Sequence, residues 1–205
     1  MARFVMKGVR LASVLAGLLF AAGCATTDQS VNMLYQPVIS GSRGTGDIVL
    51  AVREGTSRAG HNPALRWVIG SIASSDGEKT GEIVAANSPG DMMLDALQQE
   101  LTAAGYTVSV ADALPPGVSR GVDVTKITVE LQETPTLLKL AAKCHVKMTA
   151  DLVKNGNVVD KVSFESRYAD VAIKDRDLLL PAVLQKGLQN VMKQAVPAII
   201  TSLGK

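Results

Sequence analysis

The longest regular pattern in the chain is an alternation of apolar and polar residues from position 138 to position 152. A period of two over this length indicates a β-strand with one face on a core and the other in water. Even-numbered apolar positions resume from Val158 to Tyr168, after an Asn-Gly pair, which predicts a long antiparallel hairpin. Because the even face must stay on the core in both strands, we expect a three-residue loop, Lys154–Gly156, with Gly156 left-handed at a bulge.

Shorter apolar runs predict further strands. Ile48–Val52 is continuously apolar, which is typical of a strand covered on both faces. Trp67–Ile72 and Gly81–Ala85 flank a turn-forming segment, so we expect them to form a hairpin. In Val122–Glu133 the apolar positions change phase near Thr125, where a β-bulge of one residue would reconcile them.

One segment, Ser88–Ala104, has the periodicity of an amphipathic helix. Ser88 is a good N-cap, Asp91 completes a capping-box-like start, and Gly105 is the expected left-handed stop. A strand, Tyr106–Val110, should leave this helix.

A second amphipathic stripe begins near Leu180, with Asp175 or Asp177 as the expected cap. Pro197 should kink this helix or make it restart, because proline cannot donate a hydrogen bond to the preceding turn. The elements together predict an α+β fold: a mixed or antiparallel sheet with a long β-hairpin and two amphipathic helices packed on one face.

The front of the chain carries an apolar run, Leu11–Cys24, which follows three cations, Arg3, Lys7 and Arg10. This order is typical of a secretory signal, and the run is shorter than the roughly 20 apolar residues of a transmembrane helix. Small residues directly before Cys24 resemble the lipobox of bacterial lipoproteins. That resemblance implies cleavage between Gly23 and Cys24 and a lipid on the Cys24 thiol. The alternative is an ordinary signal peptide with an incidental cysteine.

The chain therefore divides into three predicted parts. Residues 1–23 are a lipoprotein signal peptide, and residues 24–45 are a lipidated N-terminus with a flexible tether rich in Thr, Ser, Asn and Gly. Residues 46–205 form a single α+β domain, a length that suits one domain.

Composition changes this picture only slightly. Aromatic residues make up 3% of the chain, so the core must be aliphatic. The formal charge of +2 includes the signal's cations, and without a basic excess we expect no nucleic-acid binding. With Cys24 lipidated, Cys144 has no partner and is expected to be a small buried hydrophobe.

No residue constellation points to catalysis or to a metal. His61 and His145 lie in unrelated segments without a carboxylate pair beside either. Cys144 and His145 are neighbours on a strand and therefore point to opposite faces, which argues against a dyad. We expect no metal, no cofactor and no enzymatic activity.

One surface could bind a partner. Lys139, Lys143, His145 and Lys147 form a basic stripe on the long strand, with Arg167 opposite. It could take lipid headgroups, lipopolysaccharide phosphates or an acidic protein, although lysines on exposed strands also simply block unwanted pairing. The groove between the helices could hold an acyl chain, but its residues are equally explained as core.

Several motifs occur in a recognisable order: the lipobox, a polar segment, the strand Ile48–Val52, Ile69-Gly70, the helix exit Leu101–Val108 and the Lys-Asn-Gly-Asn turn. This order resembles the YajG-like family of small bacterial lipoproteins. The resemblance implies a lipoprotein on the outer membrane that faces the periplasm, and Ala25 after the lipid-bearing cysteine agrees with outer-membrane sorting. The family has no established catalytic residues.

We therefore expect a non-catalytic accessory lipoprotein, held to the membrane by its N-terminal lipid, that binds an envelope protein or polymer. The alternative is an accessory lipoprotein of a lipid or lipopolysaccharide transport machine.

Overall fold

The structure is a computed structural model that describes residues 28–38, 44–53 and 66–204. Gly23, Cys24, Ala25 and His61 lie outside these residues. The described part contains these elements: β1 (Gln29–Val31), β2 (Asp47–Val52), β3 (Trp67–Ala73), β4 (Lys79–Ala85), α1 (Pro89–Ala103), β5 (Thr107–Ala111), β6 (Arg120–Pro135), β7 (Leu140–Lys154), β8 (Asn157–Ala172), a 3-10 turn (Arg176–Leu178) and α2 (Leu179–Gly204).

Strand β6 connects the two halves of a mixed sheet. One of its edges pairs antiparallel with β7 along the whole strand, and β7 pairs with β8. Its other edge is divided, with β2 parallel beside Gly121–Val124 and β3 parallel beside Leu131–Glu133. β5 extends the sheet beyond β2, whereas β4 and then β1 extend it beyond β3. The α+β class, the mixed sheet and both hairpins are confirmed.

The bulge expected at Thr125 is present. Val124 pairs with Ala150 and Lys126 pairs with Thr149, so Thr125 is the additional residue on β6. Its hydroxyl donates to the Thr149 carbonyl oxygen at 3.3 Å. The bulge keeps the apolar residues before and after it on one side of the sheet.

The turn between β7 and β8 differs from the prediction. Lys154 pairs directly with Asn157, so the loop has two residues and not three. Asn155 and Gly156 have φ angles of 50° and 78°, the conformation of the type I′ turn that an Asn-Gly pair favours. Gly156 is left-handed as expected, but the predicted loop length is wrong.

The parity of the hairpin is restored inside β8. Val158 pairs with Val153 and Asp160 pairs with Leu152, which leaves Val159 as a bulge. Beyond Val159, the even-numbered residues of both strands again share one face. The additional residue, Val159, lies three residues past Gly156 and not in the turn.

The helices lie against this sheet. The Ser88 hydroxyl accepts a hydrogen bond from the Asp91 amide at 3.0 Å, and the Asp91 carboxylate accepts one from the Ser88 amide at 3.3 Å, which completes the capping box. α1 contacts β2, β5 and β6, whereas α2 contacts β6, β7 and β8 and also touches α1. At Gly187, a Cβ atom would lie 2.9 Å from the Cys144 sulfur, so glycine allows α2 its close approach to β7.

The second helix departs from the prediction at its start, and at Pro197 only one of the two expected outcomes is excluded. The chain enters α2 through a 3-10 turn that includes Asp177, and Asp175 precedes that turn with a φ of 52°. α2 continues through Pro197 to Gly204, so the expected restart at Pro197 does not occur.

Residues 28–38 belong to the folded domain and are not the flexible tether that their composition predicts. β1 pairs parallel with β4, and Val31 and Tyr35 are buried. Glu100 on α1 is fully buried and accepts hydrogen bonds from the Tyr35 hydroxyl at 2.6 Å and from the Val38 amide at 2.8 Å. Burial, together with Glu100, raises the pKa of Tyr35, so its hydroxyl stays protonated and remains a donor.

Replacing Glu100 should loosen this segment. Glu100→Ala leaves the Tyr35 hydroxyl and the Val38 amide without their acceptor, and we expect the free energy of unfolding to fall by about 2–3 kcal/mol. Tyr35→Phe should cost about 1 kcal/mol. Urea unfolding measures both, with Gln99→Ala on the same helix as the control, because the Gln99 side chain donates to the exposed Asp95 carboxylate at the surface. A Glu100→Ala loss no larger than the Gln99→Ala loss would contradict the docking of residues 28–38.

Candidate functional site

The predicted basic residues lie on the outer face of the β6–β7–β8 hairpin region, away from the helices. Lys143, His145 and Lys147 alternate along β7 with buried residues. Lys139 is not part of this stripe, because it closes the turn before β7 and its amide donates to the Thr136 hydroxyl at 3.1 Å. The structure therefore brings three of the four residues together.

Carboxylates from both neighbouring strands accompany these cations. His145 Nε2 lies 3.0 Å from the Glu165 Oε1 atom, and His145 Nδ1 lies 3.7 Å from the Glu130 Oε2 atom. Arg167 contacts the same Glu165 oxygen at 3.0 Å. The face is therefore a mixed-charge surface and not a purely basic stripe.

Glu165 is the centre of this network. Desolvation raises the pKa of Glu165, but the combined effect of Arg167, His145 and Lys147 lowers it by more, so the net shift is downward. Glu165 consequently stays ionised at neutral pH and neutralises part of the basic stripe.

A cavity of about 470 Å³ opens at this face. Its polar lining comes from four neighbouring strands of the sheet: Ser71 of β3, Glu130 and Gln132 of β6, Lys143 and His145 of β7, and Arg167 of β8. Lys143 and Arg167 can contact an anionic group, while Glu130 and Gln132 can accept hydrogen bonds. Such a lining suits a polar ligand or a peptide segment.

The thiol next to this cavity is not a nucleophile. Cys144 is 3% exposed and packs toward α2. Burial raises the pKa of Cys144 to about 12, so the reactive thiolate is scarce at neutral pH. Cys144 is the small buried hydrophobe that its position in the alternation predicts.

Besides Glu100, three further carboxylates of the described residues are buried, and the sequence analysis predicts a structural role for none of them. Asp123 is 4% exposed and accepts a hydrogen bond from Arg53 Nε at 2.7 Å, and this bond raises the pKa of Arg53. Asp151, opposite Asp123 on β7, lies 3.4 Å from Lys161. Arg53 and Asp123 are far apart in the sequence, and Asp151 and Lys161 lie on neighbouring strands. No pattern in the sequence predicts either ion pair.

Glu133 is the third of these carboxylates, and its phase could have revealed it. It shares the parity of Leu131, which lies on the core side, and it is 5% exposed. Burial raises the pKa of Glu133. The Gln29 amide, oriented by its hydrogen-bond partners, places its nitrogen 2.8 and 3.1 Å from the two Glu133 oxygens.

A second cavity, of about 690 Å³, lies between the N-terminal segment and the starts of both helices. Apolar side chains dominate its walls, among them Val31, Met33, Met92, Pro181 and Leu184. On one side, Gln185 and Gln189 of α2 donate to the Gln36 carbonyl oxygen at 3.1 and 3.0 Å. This is the groove near the helices considered for an acyl chain.

Within the described ranges, no three His, Cys, Asp or Glu side chains converge as metal ligands. In the same part of the chain, no helix combines the length and the apolar character needed to cross a membrane.

No family model matches this chain, and no curated protein matches its sequence. Similar solved structures include a protein of the DUF330 family from Xanthomonas campestris, 15% identical over 85% of this chain and 95% of that chain, with a TM-score of 0.47. A neuraminyllactose-binding hemagglutinin homologue from Helicobacter pylori is 13% identical over 82% of this chain and 91% of that chain, with a TM-score of 0.45. A minor lipoprotein from Acinetobacter baumannii is 12% identical over 76% of this chain and 90% of that chain, with a TM-score of 0.42.

The charge network should give the outer face a measurable pH dependence. Because the pKa of Glu165 is lowered on folding, its contribution to stability is present above the ordinary glutamate pKa of about 4.3 and is lost as the pH falls through the folded value. We expect Glu165→Gln to be less stable than the parent chain at pH 7 and equal to it at the acidic end of a urea-unfolding series. Glu130→Gln is the control, since the Glu130 side chain is 70% exposed and its contact with His145 is longer. A Glu165→Gln difference that grows as the pH falls would contradict the network.

Proposed function

We propose that this chain is a lipid-anchored accessory lipoprotein of the outer membrane, that it faces the periplasm, and that it binds an envelope protein or polymer without catalysing a reaction. The observation that carries the proposal is the segment Leu11–Cys24, where an apolar run after three cations ends in small residues and a cysteine. The YajG-like resemblance and Ala25 support the outer membrane as the location.

The docked N-terminal segment supports action at the membrane surface. Asp28 is already in place beside β4, where its carboxylate accepts a hydrogen bond from the Glu82 amide at 3.3 Å. The four residue-to-residue steps from Cys24 to Asp28 can span at most about 14 Å. A lipid on Cys24 would therefore hold the domain close to the bilayer.

The outer-face cavity supports binding as the activity. Lys143 and Arg167 offer cationic groups, and Glu130 and Gln132 offer acceptors, so the lining complements a polar surface of mixed charge. His145 is engaged by two carboxylates, and Cys144 is a protonated, buried thiol. These groups recognise a partner better than they would transfer a proton or attack a bond.

The proposed anchor has a direct test. Cys24→Ser removes the thiol that would carry the diacylglycerol, and a protein without acyl chains loses its stable membrane attachment. We expect radiolabelled palmitate to be absent from the variant, which should accumulate as an unprocessed precursor or leave the membrane fraction. Cys144→Ser is the matched control and should still incorporate label. Continued labelling of Cys24→Ser, or a mature-sized product that stays in the membrane, would contradict the proposal.

The apolar cavity favours one alternative, an accessory lipoprotein of a lipid or lipopolysaccharide transport machine. Its volume of about 690 Å³ and its apolar walls would accommodate part of an acyl chain. This alternative differs from the first proposal in requiring a lipid ligand separate from the anchor.

Mass spectrometry of purified Cys24→Ser protein separates the two proposals, because no anchor lipid is then present. The transport alternative predicts a bound lipid that disappears in a further Ala182→Trp variant, since Ala182 lines the cavity. Lys193→Trp, an exposed position on the same helix, should retain the lipid. Protein without lipid in every variant would exclude the transport alternative and leave the first proposal standing.

A further inference from the structure

The turn between β6 and β7 presents two leucines to solvent. Leu137 is 100% exposed and Leu138 is 82% exposed. The turn is held closed by Thr136, whose hydroxyl donates to the Lys139 carbonyl oxygen at 2.7 Å while the Thr136 amide donates to the same oxygen at 2.8 Å. The leucines therefore stand at the tip of an ordered turn.

A third large apolar residue lies beside this tip. Leu140, the first residue of β7, pairs with Ala172, the last residue of β8. Ile173 follows Ala172 directly and is 74% exposed. Single exposed apolar residues are common on soluble proteins, but neighbouring ones mark contact sites. We call Leu137, Leu138 and Ile173 the apolar tip.

The chain enters the domain at the same end of the sheet. β3 runs toward this end, since it is parallel to β6 and Ile72 pairs with Glu133. β4 returns antiparallel to β3, and β1 is parallel to β4, so β1 begins near the end where β6 finishes. The contact between Gln29 and Glu133 confirms that the start of β1 lies close to the end of β6.

Chain lengths allow a lipid on Cys24 and the apolar tip to reach the same membrane surface. Cys24 and Asp28 are four positions apart in the sequence, and so are Glu133 and Leu137. Either segment spans at most about 14 Å. Asp28 and Glu133 lie within one residue of each other along the sheet. Asp28 precedes Gln29, which pairs with Ile83, so Asp28 is level with Glu82. Glu82 is next to Gly81, and both Gly81 and Glu133 pair with Ile72.

The surroundings of the tip fit a bilayer surface as its occupant. Lys139 and Lys174 flank it, but Asp175 and Asp177 follow closely, so burial of apolar area and not net charge would provide the attraction. A lipid on Cys24 would hold the apolar tip beside the bilayer at a high effective concentration, so even a weak contact between the tip and the bilayer would persist.

We propose that the apolar tip inserts into the same periplasmic membrane surface to which Cys24 is anchored, so that the domain touches the bilayer with the β6–β7 turn and holds a fixed orientation. This inference rests on the proposed lipidation of Cys24 and adds which end of the domain faces the membrane.

The test uses the mature, lipidated protein bound to phosphatidylcholine vesicles. Leu138→Cys carries an environment-sensitive dye, and Val159→Cys, half-exposed near the turn at the opposite end of the hairpin, is the matched control. Cys144 is buried and does not compete for the dye. We expect a blue shift of the emission and quenching by bromine-labelled lipid at position 138, and neither at position 159.

A second measurement tests the tip as a unit. With the dye on Ile173→Cys, the pair Leu137→Asp and Leu138→Asp should return the emission to its value in water, while the anchor keeps the protein on the vesicles. Both leucines are exposed, so the folded domain should tolerate the change, which circular dichroism verifies. The proposal would be overturned if the emission of the dye at position 138 keeps its value in water on vesicles. It would also be overturned if the two aspartates leave the emission of the dye at position 173 unchanged.

The outcomes separate this inference from the proposed function. Acyl chains on Cys24 and sedimentation with vesicles, combined with an aqueous dye at position 138, would overturn the insertion alone. A Cys24 without acyl chains would overturn the anchor and the insertion together.

Discussion

The fold depends on a strand with hydrogen-bond partners on both edges. β6 pairs with β7 on one side and with β2 and β3 on the other, so its register determines where every other strand lies. A shift of one residue would turn its apolar side chains from the core to solvent. Thr125 prevents this conflict, because the bulge lets Val122, before it, and Val129, after it, face the same core. Both helices contact this strand.

The two bulges show what an apolar pattern can and cannot predict. Around Thr125 both apolar sets are distinct, so the change of phase is visible in the sequence and the bulge was located correctly. In β8 the adjacent residues Val158 and Val159 are both apolar, and the phase is ambiguous there. A common core face for both strands does require one additional residue, and that residue lies in β8 and not in the turn. The local preference of Asn155-Gly156 for a two-residue turn prevailed, and the strand absorbed the additional residue.

The position of the basic residues on the outer face is predictable from the sequence, but the carboxylates that accompany them are not. Alternation along β7 is enough to put Lys143 and His145 on the solvent face. The positions of Glu130 and Glu165 beside His145 depend on the registers of two pairings, β6 with β7 and β7 with β8, which sequence alone does not specify. The docking of residues 28–38 was missed for a similar reason, since Tyr35 finds its acceptor 65 residues away on α1. The polar composition of residues 28–38 is typical of a tether, and a single buried acceptor such as Glu100 produces no periodic pattern that would indicate otherwise.

Orientation of the domain determines what the outer-face cavity can meet. From Lys139 at the turn, Lys143 and His145 lie four and six residues along β7, which corresponds to about 13 and 20 Å. Charges are screened beyond about 8 Å at physiological salt. If the β6–β7 turn touches the bilayer, the cations of the cavity stand too far from the headgroups to interact with them strongly. The cavity then faces the space above the membrane, which favours a protein or polymer of the envelope over membrane phosphates as its ligand.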